Sequence, residues 1–384
     1  MIQPGATLGL LGGGQLGRMF TQAAQRMGYE VVVLDPDPES PAGRIASRHI
    51  RADYTDEVGL TELGTASSAV TTEFENVPAA SLSFLRRFGP VRPGPEAVAI
   101  TQDRVVEKRF AQAQGLATAP FQPVLSLADC AAAFADIGAP ALLKTSRLGY
   151  DGKGQTSVGS LAELEQAFVS FGGQPCLLER RVALEREVSV VLARGTDGAI
   201  VSFPVAENRH VDGILFTSLV PARIPPALAD QAREAAARLA RAMDYVGTMA
   251  VEFFVVDDGR LLVNEMAPRP HNSGHYTLDA CSTDQFEQQV RAVAGLPLAE
   301  TSLLTPIAMV NLLGDLWAGG TPNWAGALAD AGAHLHLYGK TTPRPGRKMG
   351  HLNVLGSSAD DALTRALNAF QQLHPNAGRH PSTH

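Results

Sequence analysis

The first hundred residues alternate apolar runs with amphipathic stretches, which predicts a small parallel α/β unit. The runs TLGLL at 7–11 and YEVVVLD at 29–35 are typical of buried strands, and a helix is expected between them over 15–27. The segment SSAVTTEFEN at 67–76 predicts another buried strand that ends on polar residues, and a short helix follows it near 79–88. Strands that alternate with helices in this way favour a parallel sheet with helices packed on its faces.

The middle of the chain mixes helical patterns with runs that indicate antiparallel strands. TQDRVVEKRFAQAQG, with Thr101 as its expected N-cap, is typical of a helix, and 226–243 predicts a longer amphipathic helix. The strand-like runs at 187–194 and 200–213 are expected to pair across a turn at GTDG. Past about residue 300, PIAMVNLLG and AHLHLYGK indicate a third, small β-containing unit, followed by a tail that we expect to be frayed.

Composition narrows the class of protein. A chain of 384 residues exceeds one ordinary hydrophobic core, so two or three domains are expected. Its 45% hydrophobic and 18% charged residues are typical of a globular fold, and a net charge of −7 argues against nucleic acid as a partner. The three cysteines, Cys130, Cys176 and Cys281, lack metal-ligand spacing and fit a reducing cytoplasm. No apolar run is long enough to span a bilayer, so no membrane partner is expected.

The first strand runs into a glycine pattern that fits a dinucleotide fingerprint. Gly12, Gly14 and Gly17 match G-x-G-x-x-G. Asp35 ends the next apolar run 18 residues later, where an acid that binds ribose is expected. On these residues alone, an NAD-dependent oxidoreductase is one hypothesis, although it leaves the segments described next unexplained.

The segment AVEFFVVDDGRLLVNEM contains a strong hairpin signal, because two apolar runs flank the dipeptide Asp-Gly at 258–259. If those two residues form the loop, Val256 pairs with Leu261, and counting back places Glu252 opposite Glu265. Directly opposite residues share one face, with Cβ atoms roughly 4.5–5.5 Å apart. Two carboxylates in such apolar surroundings repel each other unless a cation lies between them, and oxygen ligands favour Mg²⁺. The alternatives are two acids on a solvated face or one protonated carboxyl.

A second segment, LLKTSRLGYDGKGQ at 142–155, is rich in glycine and lysine. Lys144 ends an apolar strand, and Lys153 lies between two of the three glycines of the loop. Glycines let backbone N–H groups approach phosphate oxygens, and lysines supply positive charge. The spacing is not that of a Walker A motif, and a plain hairpin turn is the alternative. Together with the acid pair downstream, the segment indicates a nucleotide-binding loop.

Three further segments carry candidate site residues. In CLLERRVALERE, Glu179 ends a strand and Glu187 follows, so their carboxylates can accept hydrogen bonds from ribose hydroxyls, with surface charge as an even alternative. In NEMAPRPHNSGHYT, Arg269 and His271 lie in a Pro/Gly-rich loop after a strand, where catalytic groups concentrate. In YGKTTPRPGRKMGH, basic residues crowd one loop of an acidic chain, which indicates an anion site or, alternatively, a solvated basic loop. These basic residues are Lys340, Arg344, Arg347 and Lys348.

Together these motifs resemble the ATP-grasp superfamily and, within it, the N5-carboxyaminoimidazole ribonucleotide synthetases of purine biosynthesis. The similarity rests on GGGQLGRM, TTEFENVP, GYDGKGQ, NEMAPRPHNSGHYT and YGK…RPGRKMGH, which span nearly the whole chain in the family's order. It implies an α/β and α+β fold. The expected parts are a Rossmann-like preATP-grasp domain at 1–98, an ATP-grasp domain in two lobes at 99–299 with a lid lobe at about 118–187, and a small β-containing domain at 300–384. It also implies ATP-dependent carboxylation of 5-aminoimidazole ribonucleotide by bicarbonate, through carboxyphosphate, in a cytoplasmic homodimer.

The resemblance implies roles for individual residues. Glu252 and Glu265 would bind Mg²⁺, and Arg269, His271 and Lys153 would act in catalysis. ATP would be held by Arg104, Lys144, Gly149, Tyr150, Asp151, Gly152, Lys153, Gly154, Gln155, Glu179, Arg180, Arg181, Val182, Glu187, His210, Asn264 and Glu265. The ribonucleotide would be held by Gln15, Leu16, Glu73, Tyr150, Lys153, His271, Lys340 and Arg347.

One departure from the superfamily pattern and several alternatives accompany this interpretation. Many ATP-grasp members read N-E-x-N-P-R, and Ala267 stands here in place of the second Asn, which leaves the metal with fewer protein ligands.

Another ATP-grasp ligase, such as a formate-dependent ribonucleotide transformylase or a biotin carboxylase, is an alternative that the basic loop at 338–351 disfavours. The others are the NAD-dependent oxidoreductase and a non-catalytic nucleotide-binding protein. Under the family resemblance, Asp35 loses its ribose role and the glycine loop frames the ribonucleotide side of the cleft.

Overall fold

A parallel sheet forms the N-terminal unit of the computed structural model, which describes residues 1–147, 149, 154–257 and 259–373. The unit contains β1 (Thr7–Leu11), α1 (Gln15–Arg26), β2 (Glu30–Leu34), β3 (Arg48–Ile50), α2 (Glu57–Ala66), β4 (Ala69–Thr72), α3 (Ala79–Leu85) and α4 (Pro95–Thr101). The strands lie in the order β3-β2-β1-β4, and neighbouring strands are parallel. Successive side chains point to opposite faces. Leu10 and Val33 therefore pack with α1, whereas Leu11 and Leu34 pack with α2. This confirms the predicted α/β unit.

A small antiparallel sheet, which we term the lid, follows one helix later. This part contains α5 (Arg104–Ala113), β5 (Phe121–Val124), α6 (Cys130–Ile137), β6 (Ala141–Thr145), β7 (Gln155–Val158), α7 (Leu161–Ser170) and β8 (Cys176–Arg180). Its strands lie in the order β5-β8-β6-β7. Leu143 and Leu178 on one face of the sheet pack against Leu164 and Phe168 of α7 and Ile137 of α6. The packing of this apolar face fixes β6 and β8, which carry Lys144 and Glu179 near their ends.

The remaining described strands form one continuous sheet. The elements are β9 (Leu184–Arg194), β10 (Ile200–Ser202), β11 (Ala206–Val211), β12 (Ile214–Val220), α8 (Pro226–Ala242), β13 (Gly247–Val256), β14 (Leu261–Ala267), α9 (Thr277–Ala280), α10 (Gln285–Ala294), β15 (Ile307–Leu313), α11 (Trp324–Ala327), β16 (Ala333–Leu337), β17 (Lys348–Leu355) and α12 (Ala359–Leu373). The order is β14-β13-β9-β11-β12-β15-β17-β16, with β10 paired to β9. Because β15 pairs with β12, the strands after residue 300 extend the sheet that precedes them.

Most helices and strands agree with the predicted positions, but the helix expected to begin at Thr101 does not begin there. Thr101 is the last residue of α4, and α5 begins at Arg104 with Asp103 as its N-cap. The Asp103 carboxylate accepts hydrogen bonds from the N–H groups of Val105 (3.0 Å) and Val106 (3.2 Å), which satisfies the free donors of the first turn. Among the described helices, none is long and apolar enough to cross a membrane.

Candidate functional site

A cleft of about 660 Å³ opens where the N-terminal unit, the lid and the large sheet meet. The following residues predicted from the sequence line its wall: Gln15, Leu16, Glu73, Arg104, Gly149, Glu265, Arg269, His271, Lys340 and Arg347. They come from all parts of the chain, so the fold gathers residues that are far apart in sequence. Tyr54, Asn272 and Arg344 also line the cleft.

The glycine loop after β1 is closed by a protein carboxylate. Glu73, which follows β4, accepts hydrogen bonds from the N–H groups of Gly14 (2.9 Å) and Gly17 (3.0 Å) at the start of α1. Asp35 accepts a hydrogen bond from the N–H of Gly13 (2.7 Å). N–H groups at a helix N-terminus form an anion site, and a dinucleotide fingerprint uses that site for pyrophosphate. Here Glu73 supplies the anion, and the Asp35 carboxylate is bound to the backbone of the loop.

Glycine is needed in this loop because Glu73 lies against it. A Cβ atom at Gly14 would lie 2.7 Å from Glu73 Oε1, and one at Gly12 would lie 2.9 Å from the same oxygen. Burial raises the pKa of Glu73, and the N–H groups of Gly17 and Gly14 act against that rise. The glycine spacing therefore serves the approach of an internal carboxylate.

The turn of the β13–β14 hairpin differs from the predicted two-residue loop at 258–259. Val255, and not Val256, lies opposite Leu261, so the predicted register next to the turn is wrong by one residue. The chain reverses through a longer turn, in which the Val256 N–H donates to the Arg260 carbonyl (3.0 Å). Asp258 itself lies outside the described residues.

The predicted pairing of Glu252 with Glu265 is nevertheless confirmed. A β-bulge lies between Glu252 and Phe253, and Asn264 is its extra residue on β14. The bulge shifts the register by one residue, which cancels the offset at the turn. The two acids consequently face each other on neighbouring strands.

The two carboxyl groups of this pair titrate differently. Burial and the charge of Glu265 raise the pKa of Glu252 to about 7. Burial also opposes ionisation of Glu265, but Arg104, with its Nη1 3.0 Å from Glu265 Oε2, outweighs it and lowers the pKa of Glu265. His271 Nε2 lies 3.5 Å from Glu252 Oε1. A divalent cation fits such a pair, because it would remove the repulsion that keeps one carboxyl protonated. Within the described residues, no group of three or more His, Cys, Asp or Glu side chains forms a metal-ligand cluster.

Glu179 is shared by two buried lysines. Its carboxylate lies 2.7 Å from Lys144 Nζ and 2.6 Å from Lys108 Nζ, and the three side chains are at most 7% exposed. Burial favours the neutral acid, but the two ammonium groups prevail and lower the pKa of Glu179 to about 2. Lys108 also donates to the carbonyl of Asn264 (3.2 Å), so it joins the lid strand β8 to β14. The lid and the large sheet are therefore connected by charged side chains of α5.

Sequence reasoning missed Lys108 and its neighbour Glu107. Glu107 is buried, accepts a hydrogen bond from the Met266 N–H (2.5 Å), and has its pKa raised to about 8 by burial and by Glu265. A signal was available, because positions 104, 107, 108 and 111 follow the i, i+3, i+4, i+7 spacing of one helix face. That face is buried at 107, 108 and 111, so its charges point into the protein.

Other residues predicted to bind the nucleotide lie beside the cleft. Glu187 on β9 accepts a hydrogen bond from His210 on β11. Burial acts to lower the pKa of His210, but Glu187 and Glu252 raise it to about 9. Among the described residues, these predicted ones do not line the cleft: Lys144, Gly154, Gln155, Glu179, Arg180, Arg181, Val182, Glu187, His210, Glu252 and Asn264. Tyr150, Asp151, Gly152 and Lys153 lie outside the described residues.

Arg269 and His271 are held by different partners. The Arg269 guanidinium binds the Glu75 carboxylate through two nitrogens, one of them Nη2 at 2.8 Å from Oε1. Sequence reasoning missed Glu75, although it lies in the TTEFEN segment. His271 Nδ1 accepts a hydrogen bond from the Ser273 N–H (3.3 Å), which leaves the hydrogen on Nε2. Burial, followed by the charge of Arg269, lowers the pKa of His271, so the ring is neutral.

The basic loop between β16 and β17 contributes four basic side chains to the lining of the cleft, Lys340, Arg344, Arg347 and Lys348. Lys340 Nζ donates to the carbonyl of Lys348 (2.7 Å), and Arg347 Nη1 donates to the carbonyl of Thr342 (2.9 Å). Both side chains line the cleft while their own loop holds them. This arrangement can bind an anion with little loss of side-chain freedom.

Comparison with known families places matches along the whole chain. An ATP-grasp domain model matches residues 109–286. A ribonucleotide synthetase preATP-grasp domain model matches residues 5–102, and a phosphoribosylaminoimidazole carboxylase C-terminal domain model matches residues 307–365.

Individual known proteins are similar to this chain over almost their full length. The chain is 48% identical over 353 residues to the N5-carboxyaminoimidazole ribonucleotide synthase of Brucella melitensis, which covers 91% of this chain and 96% of that protein. The Staphylococcus aureus N5-carboxyaminoimidazole synthetase complexed with ADP superposes with a TM-score of 0.90 at 38% identity, covering 96% and 98% of the two chains. The Aspergillus clavatus N5-carboxyaminoimidazole synthase in complex with ADP and 5-aminoimidazole ribonucleotide gives 0.88 at 29% identity, covering 96% and 99%.

Proposed function

The chain belongs to the N5-carboxyaminoimidazole ribonucleotide synthase family of ATP-grasp ligases, and from this membership we propose how its residues carry out the reaction. The enzyme carboxylates 5-aminoimidazole ribonucleotide in an ATP-dependent step of purine biosynthesis. The observation that supports the residue roles below is the cleft itself. It brings Glu265, Arg269 and His271 together with the basic loop.

The nucleotide would bind between the lid and the large sheet. Arg104, Lys108 and Lys144 carry three positive charges, against the carboxylates of Glu179 and Glu265. The surplus positive charge favours an anion such as a polyphosphate. Phosphoryl transfer needs charge neutralisation and alignment more than covalent help, and Arg104, which lines the cleft, would contribute to both. By resemblance, Glu187, His210 and the segment 180–182 would hold the adenosine.

Glu252 and Glu265 would hold Mg²⁺. When bound, the ion would neutralise charge on the phosphates during transfer. The support is the facing pair of acids, whose mutual repulsion contributes to a pKa of about 7 for Glu252. Arg104 keeps Glu265 ionised and therefore ready to act as a ligand.

Arg269 and His271 would orient bicarbonate and the carboxyphosphate that ATP makes from it. Glu75 holds the Arg269 guanidinium in place, so its position does not have to be fixed anew when the substrate binds. The neutral His271 ring lines the cleft with its Nε2 3.5 Å from Glu252 Oε1, and its Nε2–H would donate to an oxygen of the carboxylate when the substrate is bound. The exocyclic amine of the ribonucleotide would then capture the carboxyl group, directly or through released CO₂, with loss of phosphate and of one amine proton.

The ribonucleotide would lie between the glycine loop and the basic loop. Lys340 and Arg347 would bind its 5′-phosphate, because both are cationic, line the cleft and are held by their own loop. Gln15, Leu16 and Glu73 would line the opposite side. Lys153 and Tyr150, which lie outside the described residues, are assigned to this site by resemblance alone.

The family resemblance also implies an oligomeric state, a location in the cell and domain boundaries. We propose a homodimer and a cytoplasmic location, the second supported by three free cysteines. We also propose the domain boundaries 1–98, 99–299 and 300–384. The third part shares its sheet with the second, because β15 pairs with β12.

The assignment is tested by ADP release in the presence of Mg²⁺, ATP and bicarbonate. Release should require 5-aminoimidazole ribonucleotide, and neither formate nor biotin should replace it. Equal release with formate or biotin would instead support another ATP-grasp ligase. NADH fluorescence should show no saturable quenching, because Glu73 fills the fingerprint loop.

A further inference from the structure

Helix α10 carries three buried glutamines, each of which binds the main chain of another segment. Gln285, Gln288 and Gln289 are at most 1% exposed. Gln289 accepts from the Thr248 N–H on β13 and donates to the Thr71 hydroxyl on β4. The helix therefore lies between the N-terminal sheet and the large sheet, and it is joined to both by hydrogen bonds.

Gln285 binds one residue of the catalytic loop at two points. Its Oε1 accepts a hydrogen bond from the His271 N–H (2.8 Å), and its Nε2 donates to the His271 carbonyl (2.8 Å). A planar amide bound at both ends fixes the peptide groups on both sides of His271. The same Nε2 lies 3.1 Å from His275 Nδ1.

The backbone of Gln285 is itself held by hydrogen bonds to α9 and β13. The Gln285 N–H donates to the Thr277 hydroxyl (3.1 Å), and its carbonyl accepts from the Thr248 hydroxyl on β13 (3.1 Å). Gly274 leaves room for the side chain, since a Cβ atom there would lie 2.6 Å from Gln285 Oε1. Sites supported by helices and strands hold their geometry better than sites supported by loops.

We propose that Gln285 is the positioning residue for His271, and through the same loop for Arg269, in the carboxylation reaction. This inference rests on the catalytic roles proposed above for those two residues. Without the amide, the peptide groups around His271 lose their attachment to α10, and the Nε2–H no longer has a fixed direction. A displacement of about 1 Å at a reacting group can lower a rate by about 10²-fold.

The first test variant is Gln285→Met, which keeps the length of the side chain and removes both hydrogen bonds. We expect kcat for ribonucleotide-dependent ADP release to fall by about 10²-fold, with the KM for ATP unchanged. The matched control is Gln288→Met. Gln288 makes the same two-point contact, donating to the Ala299 carbonyl (2.7 Å) and accepting from its N–H (3.1 Å), away from the cleft. The control should lose comparable stability and keep its kcat.

A second variant, Gln285→Glu, keeps the proposal testable if the methionine variant does not fold. A neutral carboxyl can donate to the His271 carbonyl and accept from its N–H, as the amide does, whereas a carboxylate has no donor. The ionisable groups around this position are His271, His275 and Asp284, which is paired with Arg26. The kcat of Gln285→Glu relative to wild type should therefore be highest at low pH and fall as pH rises.

The outcomes separate this inference from the proposed function. If His271→Ala retains full activity, the catalytic role of His271 fails. If His271→Ala is inactive while Gln285→Met keeps its kcat, only the positioning inference is overturned. Equal loss of kcat in Gln285→Met and Gln288→Met, or a pH-independent ratio for Gln285→Glu, would also overturn it.

Discussion

Replacing Glu179 by Gln should destabilise the protein strongly, because it removes the anion that two buried lysines share. Lys108 and Lys144 would then face each other at the root of the lid with no carboxylate between them. Breaking a buried ion pair by removing one partner costs about 3–5 kcal/mol. We expect a loss of this size in the free energy of unfolding at pH 7.

The pKa of Glu179 and the pKa of a buried lysine each give a second figure for this loss in the free energy of unfolding. The pKa of Glu179 is lowered to about 2. Relative to an ordinary glutamate near 4.3, this corresponds to about 3 kcal/mol of stability. Because the folded-state pKa is the lower one, that stability is present above about pH 4.3 and is lost as pH falls toward 2. In the variant, one lysine can release its proton at pH 7, which limits the cost to about 5 kcal/mol for a pKa that starts near 10.4.

The measurement is urea unfolding followed by circular dichroism, with refolding checked at each step. Glu185→Gln is the matched control, because it makes the same charge change on an exposed residue and should stay within about 0.5 kcal/mol of wild type. The double variant Lys108→Met with Glu179→Gln should be more stable than Glu179→Gln alone, since it removes one uncompensated ammonium. A Glu179→Gln protein as stable as wild type would refute the shared-anion argument.

Three other predictions concern the cleft. Glu265→Gln should abolish turnover and weaken binding of Mg²⁺ and ATP in calorimetry without unfolding the protein; near-normal turnover would contradict the metal role. Gly14→Ala should cost about 1–3 kcal/mol in urea unfolding, because its Cβ would lie 2.7 Å from Glu73 Oε1 and displace that hydrogen bond. The control Gly89→Ala has no atom closer than 3.6 Å and should be nearly neutral. Arg347→Ala should raise the KM for the ribonucleotide and leave the KM for ATP unchanged in steady-state kinetics, and equal changes in both would argue against a phosphate contact.

Continuous apolar runs predicted the N-terminal strands because these strands are buried on both faces. Apolar periodicity predicted most helices because each helix buries one regular face. It could not predict that β15 would pair with β12, since strand order depends on contacts between distant segments. The pairing of Glu252 with Glu265 was predicted correctly although the turn was not, because a bulge at Asn264 compensates for the longer turn. Alternation of residue types carries no signal for such a bulge.

Site residues that belong to sequence motifs could be predicted, whereas site residues whose role depends on burial in the fold could not. Lys108 and Glu107 escaped notice because charges on a helix are expected to face solvent, whereas here they face the lid and β14. Glu73 was expected near the ribonucleotide, but no pattern in the sequence indicated that its carboxylate would bind the glycine loop. That contact depends on the parallel register of β1 and β4.

The contact between the Glu73 carboxylate and the N–H groups of the glycine loop can also be treated as a binding equilibrium. Glu73 is a competitor attached to the same chain, so its local concentration at the loop N–H groups is independent of dilution. A dinucleotide in solution would have to displace a ligand that cannot diffuse away. The loop thus keeps the shape of a cofactor site, while a carboxylate of the same chain occupies N–H groups that a phosphate would otherwise use.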